Sequence, residues 1–258
     1  MLSSARLFKQ FIIAFLFLAI IGGGAFVISQ KLNPPTPTPT PDPRDVLEPV
    51  LILETNLFTV GENDYDFLAK VQNPNPTYGS SKVTYELTLL DADNQEIARK
   101  VNNFYILPGQ TKYVIDTPLR FNTTVDSAVM SITGIQWQEL DPLALQGIDF
   151  VVVNSEFSKT TRTAVSGIAR GLVNNISDFD VARVDVVVVL FDEDGNPIGT
   201  NRSEIRTFLA HTLRGFETAW YAPIKGIVSQ VYAEANTNIF ENDTFIRTYG
   251  GQERFQEY

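Results

Sequence analysis

The sequence predicts an all-β protein in which two tandem antiparallel β-sandwiches follow an N-terminal transmembrane helix and a proline-rich linker. Three observations support this: a repeated pattern, short strand-like runs separated by turns, and an uncharged apolar run near the N-terminus. The repeat is clearest in Lys82–Asp91 and Arg183–Asp192, where a strand-like run ends in an acidic turn. Repetition at a fixed distance indicates a duplicated structural unit.

The N-terminal segment has the composition of a membrane anchor. Residues 1–10 are predicted to be a short cytoplasmic segment, and residues 11–30 a transmembrane signal-anchor helix. Phe11–Ser29 carries no charge, and at about 1.5 Å per residue it is long enough for a hydrocarbon core of about 30 Å. Arg6 and Lys9 precede it. By the positive-inside rule, the N-terminus is cytoplasmic and the body extracytoplasmic, in a single-pass protein of the cell membrane.

A cleaved signal peptide is the alternative, with Phe11–Ile21 as its apolar region and Gly23–Ala25 as its processing site. Both hypotheses export the body. Residues 31–46 form a predicted Pro/Thr-rich linker, in which Asn33–Arg44 favours extended polyproline II. A spacer of this kind is useful when the segment before it stays in the membrane, which favours the anchor.

The remaining chain is predicted to form one β-sandwich over residues 47–142, a second over 143–240, and a C-terminal tail over 241–258. Strands are predicted at Val50–Leu53, Tyr65–Gln72, Lys82–Leu90, Glu96–Asn103, Thr111–Ile115 and Val129–Trp137, and at Ile148–Val153, Ala164–Val173, Arg183–Phe191, Pro197–Glu204, Leu213–Ala219 and Val228–Asn236. The continuous apolar run Val186–Leu190 predicts a central strand that is covered on both faces.

The two copies align without a gap over their centres. The alignment places Val71 on Leu172, Asn73 on Asn174, and other apolar positions of the first copy on apolar positions of the second. A slip of one residue would turn core side chains to the solvent face, so the shared parity indicates a shared structure. The antiparallel hairpins and regular turns indicate the immunoglobulin-like kind of sandwich.

Both copies resemble known families of exported domains. Val188–Asp192, followed by Asp194–Gly195 and preceded by Gly171–Asn174, resembles the FxLYD domain of bacterial exported proteins. Leu87–Asp91 and Val71–Pro76 of the first copy are also similar to the late embryogenesis abundant, water-stress-response type of sandwich. The resemblance implies an immunoglobulin-like extracytoplasmic module with no catalytic residues.

Composition narrows the classes of partner. The chain has no cysteine, so neither disulfides nor an acylated cysteine can hold it. Its formal net charge of −10 opposes binding to phosphate backbones, and nucleic acid is not an expected partner. His211 is the single histidine, so a histidine-rich zinc site and a thiol–histidine pair are excluded. We therefore expect no enzyme and no cofactor.

Two acidic turns are weak candidates for a metal site. One contains Asp91, Asp93 and Glu96, and the other contains Asp192 and Asp194. Both resemble the start of a calcium loop, but neither continues to the distant bidentate glutamate. The composition of a tight hairpin turn is the favoured explanation of both, and no metal is predicted.

Three aromatic residues, Trp137, Trp220 and Tyr221, are candidates for an interaction surface, although core or interdomain packing is the favoured explanation. The favoured function is a non-catalytic, membrane-anchored protein that presents two modules for protein interaction, adhesion or envelope assembly, with an unidentified envelope protein as partner. The alternative is an extracytoplasmic binding module for a glycan, a cation or a stress response.

Overall fold

The computed structural model describes residues 11–13, 15–18, 47–140, 147–160 and 164–242. The chain divides into two compact units, residues 1–46 and residues 47–258. In the first unit, residues 11–13 and 15–18 are helical. Within the part of the chain that the structure describes, no helix is long and apolar enough to cross a membrane.

Several predicted segments lie outside the described residues. These are the cytoplasmic segment 1–10, most of the predicted helix 11–30, the linker 31–46, and the C-terminal tail from residue 243 onward. The predicted boundary between residues 142 and 143 also lies outside them.

The described residues of the second unit form twelve strands, six in each half. The first half comprises β1 (Leu51–Thr59), β2 (Asp64–Gln72), β3 (Tyr78–Leu90), β4 (Glu96–Ile106), β5 (Thr111–Arg120) and β6 (Ser127–Glu139). The second comprises β7 (Phe150–Lys159), β8 (Gly167–Asn175), β9 (Val181–Phe191), β10 (Pro197–Phe208), β11 (Thr212–Trp220) and β12 (Gln230–Asn236). Each predicted strand overlaps an observed one, which confirms the mostly-β prediction.

The strand order confirms the duplication. The first half has the antiparallel sheets β1-β2-β5 and β4-β3-β6, and the second half has β7-β8-β11 and β10-β9-β12. Adding six to each strand number of the first half gives the corresponding sheet of the second. The repeat in the sequence is therefore a repeat of topology.

Each half encloses its own apolar core between its two sheets. In the first half, Phe67 of β2 packs in one cluster with Tyr85, Leu87 and Leu89 of β3, all at most 1% exposed. These residues occupy alternate positions, because successive side chains of a strand point to opposite faces. Alternate side chains of β3 therefore point into this core.

The second core has the same arrangement. Ala169 and Val173 of β8 pack with Val186, Val188 and Leu190 of β9, and all five are fully buried. Fully burying one such valine or leucine side chain contributes roughly 1.5–3 kcal/mol relative to leaving it exposed. The core therefore holds the half together without any cross-link.

The outer face of β9 differs from that of β3. Val187 and Val189 on β9 are buried, as the continuous apolar run predicted, whereas Glu86 and Thr88 on β3 are only partly buried. Val187 and Val189 pack in a cluster with Leu68 of the first half. The first half of the protein therefore covers the outer face of β9.

A buried asparagine closes the same corner in both halves. The Asn73 Nδ2 donates to the carbonyl oxygens of Tyr78 at 2.6 Å and Leu107 at 2.9 Å. The Asn175 Nδ2 donates likewise to Phe179 O at 3.0 Å, and both asparagines are completely buried. Each amide satisfies backbone acceptors that would otherwise be buried without partners.

This equivalence corrects the gap-free alignment. Asn73 corresponds to Asn175 and not to Asn174, because only Asn175 has the buried position and the backbone bonds. The connection to the next strand is one residue shorter in the second half: Val83 follows Asn73 by ten residues, and Val184 follows Asn175 by nine. The distance along the chain between equivalent residues is therefore one residue longer for the pair β2 and β8 than for the pair β3 and β9.

Candidate binding site at the junction of the two halves

The two halves meet through an apolar contact between the sheets β1-β2-β5 and β10-β9-β12. Leu68 and Tyr113 of the first half pack in one cluster with Val187 and Val189 of the second. All four are at most 8% exposed. Removal of this apolar surface from water stabilises the association of the halves.

Polar contacts fix the register of this junction. The backbone N–H of Tyr113 donates to Glu234 Oε1 at 2.8 Å, and Gln110 Nε2 donates to Asn236 Oδ1 at 2.8 Å. The rings of Tyr113 and Tyr232 meet edge to face with centroids 5.6 Å apart. Glu234 thus covers a backbone donor of β5, which is an edge strand of its sheet.

Lys112 is a buried cation at the junction. Its Nζ lies 3.7 Å from the centroid of the Tyr105 ring and donates to Tyr105 O at 3.3 Å. Burial lowers the pKa of Lys112 to about 8, against the opposing effect of Glu234 and Asp185. Burial also raises the pKa of Glu234, although the Tyr113 N–H opposes this shift. The junction therefore holds a buried amine, Lys112, and a partly buried carboxyl group, Glu234.

A cleft of about 470 Å³ opens between the halves at one side of the junction. In the wall from the first half, Asp64 pairs with Arg120 at 3.5 Å, and the Thr117 hydroxyl donates to Asp66. Burial raises the pKa of Asp66. This wall presents both signs of charge beside the apolar side chain of Val60.

The second half supplies the opposite wall of the cleft. It contributes Arg202, Trp220, Tyr221 and Ala222. The Tyr221 side chain is 75% exposed, which makes it the most exposed aromatic residue of the second unit among those described. The cleft thus combines a free aromatic ring with a guanidinium group from each half.

A narrower groove of about 330 Å³ continues from the cleft toward the end of β1. Val60, Trp220 and Ala222 line both spaces. Cleft and groove together form one continuous depression along the seam between the halves, a common place for a binding site.

The three predicted aromatic residues do not share a surface. Trp137 lies on β6 of the first half, partly buried against the core of that half. Trp220 is 4% exposed and packs edge to face on Phe157, with ring centroids 5.7 Å apart. It follows Phe216 at an even spacing along β11, so both side chains point into the second core. Of the three, only Tyr221 offers its ring to solvent.

The first acidic turn uses its carboxylates internally. Asp91 Oδ1 accepts the backbone N–H groups of Asp93 at 2.9 Å and Gln95 at 2.8 Å. Glu96 pairs with Arg99 at 2.7 Å. These contacts are those of a capped hairpin turn.

The second acidic turn is built in the same way. Asp192 Oδ1 accepts the N–H groups of Asp194 at 3.0 Å and Asn196 at 2.8 Å. The N–H of Asn196 lowers the pKa of Asp192. Gly195 has a φ of +79°, which glycine adopts without strain. Among the described residues, no group of three or more Asp, Glu, His or Cys side chains is placed to hold a metal ion.

His211 lies immediately before β11, and its Nε2 is 2.9 Å from Asp178 Oδ1. Both side chains are largely exposed. This pair lies at the surface of the second half, and neither side chain lines the cleft or the groove.

Sequence reasoning missed Lys112, Glu234 and Arg202. These residues lie on β5, β12 and β10, and the sequence does not show that these strands come together at the junction. The run Val186–Leu190 was the one signal for the junction, because it required a second covering layer over β9.

The chain matches no protein-family model and no curated protein. Function is therefore inferred from the geometry of the junction and from the sequence pattern before residue 47.

Proposed function

We propose that this protein is a non-catalytic binding protein of the cell envelope. In this proposal residues 11–30 anchor it in the cell membrane, the N-terminus is cytoplasmic, and residues 31–46 carry two β-sandwiches outside to meet a protein partner. The observation that carries the proposal is the junction cleft, because each half contributes one of its walls.

The side chains of the cleft suit a protein partner. Tyr221 is exposed, and Arg120 and Arg202 flank the same space. Tyrosine and arginine are among the residue types that dominate binding energy in protein interfaces, since they combine large contact area with specific hydrogen bonds. Val60 and Ala222 add an apolar floor.

The packing of the junction supports a preformed site. Leu68, Tyr113, Val187 and Val189 are buried between the halves, and Glu234 bridges them by a hydrogen bond. Two halves held in this way keep the walls of the cleft at a fixed separation. A preformed site loses less conformational entropy on binding than a flexible one.

The strand order supports an immunoglobulin-like sandwich in each half. One sheet has the order β1-β2-β5 and the other β4-β3-β6, with the core between them. The motif that resembles the FxLYD domain, Val188–Asp192, forms the end of β9 and the start of its turn. For the first copy, we propose a relationship to the late embryogenesis abundant type of sandwich.

A photo-crosslinking experiment tests the site. A benzophenone amino acid replaces Tyr221 in the full chain, and the same group at Val129 on β6, which is 53% exposed, is the matched control. After irradiation of intact cells, we expect a crosslinked species from position 221 that is absent from position 129. Equal labelling at both positions, or none at 221, would contradict the proposal.

Single-cysteine labelling tests the orientation independently, since the chain contains no natural cysteine. A membrane-impermeant maleimide should label Lys225→Cys in intact cells. It should label Ser3→Cys only after the membrane is permeabilised. The reverse pattern would exclude the proposed topology.

A glycan is the second candidate ligand, favoured by the exposed Tyr221 ring beside the polar groups of the cleft. Aromatic faces provide rigid apolar contact area on which a sugar ring can stack. A glycan array probed with the wild-type chain and with Tyr221→Ala tests this candidate. Binding that is independent of Tyr221 would count against it.

A further inference from the structure

The groove that continues from the cleft lies along the edge of β1. Five consecutive residues, Asn56–Val60, line it. Because successive side chains of a strand point to opposite faces, a cavity over one face of a sheet meets every second residue. Contact with five residues in succession places the groove beside the backbone, at the strand edge.

This edge of β1 carries backbone groups that are not paired by any strand of the described residues. In the order β1-β2-β5, β1 is bonded to β2 and to no other described strand. The N–H of Val60 donates to Asp64 O at 2.8 Å, so residue 60 directs its backbone groups toward β2. Since this direction alternates along a strand, the N–H and C=O groups of Thr55, Leu57 and Thr59 point toward the open side.

The open edge lacks the features that prevent strand pairing. Thr55–Thr59 contains no charged residue and no proline, and its pairing with β2 is regular throughout. Both β1 and the equivalent strand β7 contain a register shift, between Ile52 and Glu54 in β1 and between Val153 and Glu156 in β7. Bulges of this kind protect edge strands from adding a further strand. The shift in β1 lies before Thr55, so the stretch Thr55–Thr59 keeps a regular edge.

The opposite wall of the groove is partly apolar. It is formed by Ile198 near the start of β10, by Trp220, and by Pro223 and Ile224 in the connection between β11 and β12, with Lys225 beside them. A strand added to β1 would lie about 4.7–4.9 Å from it. Alternate side chains of that strand would then face these apolar groups, and its backbone would satisfy the open edge.

We propose that the β1 edge binds an extended, uncharged, apolar segment of a partner protein as an additional antiparallel or parallel strand. Main-chain hydrogen bonds to Thr55, Leu57 and Thr59 supply affinity, and the apolar wall selects the side chains. The inference rests on the proposed protein-binding function and specifies how the partner is held.

The test uses a phage-displayed library of random seven-residue peptides, selected on the full chain in detergent micelles. Affinities of the recovered peptides are measured for the wild type, Thr59→Pro and Thr59→Ala. Proline removes the N–H on the open side and leaves the bonds to β2 in place, whereas alanine keeps that N–H. We expect Thr59→Pro to weaken binding about tenfold or more and Thr59→Ala to change it by less than about threefold.

Amide hydrogen exchange of the wild type gives a second measurement that needs no substitution. Peptide binding should slow exchange at Thr55, Leu57 and Thr59. If circular dichroism shows that Thr59→Pro is unfolded, Thr55→Pro and Thr55→Ala replace the pair, and the same expectation holds.

The remaining outcomes overturn the inference. Failure to recover any peptide, or equal losses in the proline and alanine variants, would exclude strand addition. Peptides that protect only amides near Tyr221 would leave the proposed binding function intact while refuting the β1 edge as its site. Self-association of the free chain that Thr59→Pro abolishes would show that a second copy is the occupant.

Discussion

Titration of Lys112 predicts how the stability of the second unit depends on pH. Burial lowers the pKa of Lys112 from 10.5 to about 8 in the folded protein. A depressed folded-state pKa contributes stability that is fully present above pH 10.5 and is lost as the pH falls through about 8. Between pH 7 and pH 9.5, this one group should therefore raise the free energy of unfolding by about 2 kcal/mol.

Urea unfolding of the full chain, followed by tryptophan fluorescence at half-unit steps from pH 7 to 9.5, measures this change. The matched variant is Lys112→Met, which keeps an unbranched side chain and removes the ammonium group. The series stops at pH 9.5 because burial raises the pKa of Tyr232 to about 12. The contribution of Tyr232 to stability is lost as the pH rises above the pKa of tyrosine in the unfolded chain, which is near 10.

The difference in the free energy of unfolding between wild type and Lys112→Met, taken at each pH, gives the contribution of the buried amine. Groups common to both proteins contribute equally and cancel. Equal slopes for the two proteins across this range would refute the assignment of a depressed pKa to Lys112. Glu234→Gln supplies a further check, since Glu234 raises the pKa of Lys112. Its removal should move the rise in stability to lower pH.

Three further predictions concern the corner, the core and the acidic turns. Asn175→Ala should lower the free energy of unfolding by about 2–4 kcal/mol because it leaves buried carbonyl groups without donors, whereas Asn174→Ala should change it by less than about 1 kcal/mol in the same urea titration. Gly79→Ala would place a Cβ 2.7 Å from a backbone oxygen of β4, so it should lower the free energy of unfolding by about 1–3 kcal/mol. The control Gly134→Ala, whose Cβ would lie 3.9 Å from its nearest neighbour, should leave the free energy of unfolding nearly unchanged. Calcium at about 1 mM should leave the thermal midpoint unchanged, because Asp192 already accepts backbone N–H groups of its own turn; a rise that Asp192→Asn removes would show a metal site.

The strands could be predicted because their signals are local. In β3, the alternation of Val83, Tyr85, Leu87 and Leu89 with polar residues follows directly from the pleat, and the structure buries those four residues. The repeat predicted that the two halves share one strand order, but not which order it is.

The one-residue offset at β2 and β8 could not be resolved in the same way. Asn174 and Asn175 are adjacent and identical, and the sequence does not show which one lies beneath the turn. Only the bonds from Asn175 Nδ2 to the carbonyl oxygens of Phe179 and Leu209 distinguish them.

The candidate site depended on information that no strand contains by itself. Val187 and Val189 indicated that something covers β9, but not that Leu68 and Tyr113 do so. The cleft arises where the covering layer ends, so its residues become neighbours only after the halves associate. Tyr221 was predicted as an interaction residue, yet Trp220 beside it points into the core.

The contrast between the outer faces of β3 and β9 limits how far this architecture can extend. Glu86 and Thr88 occupy on β3 the positions of Val187 and Val189 on β9, and Glu86 is engaged with Arg99 at 3.2 Å. Stacking another sheet on β3 in the same manner would strip water from a carboxylate and a hydroxyl without offering either a new partner. The outer face of β3 is therefore a poor surface for repeating the contact that joins the two halves.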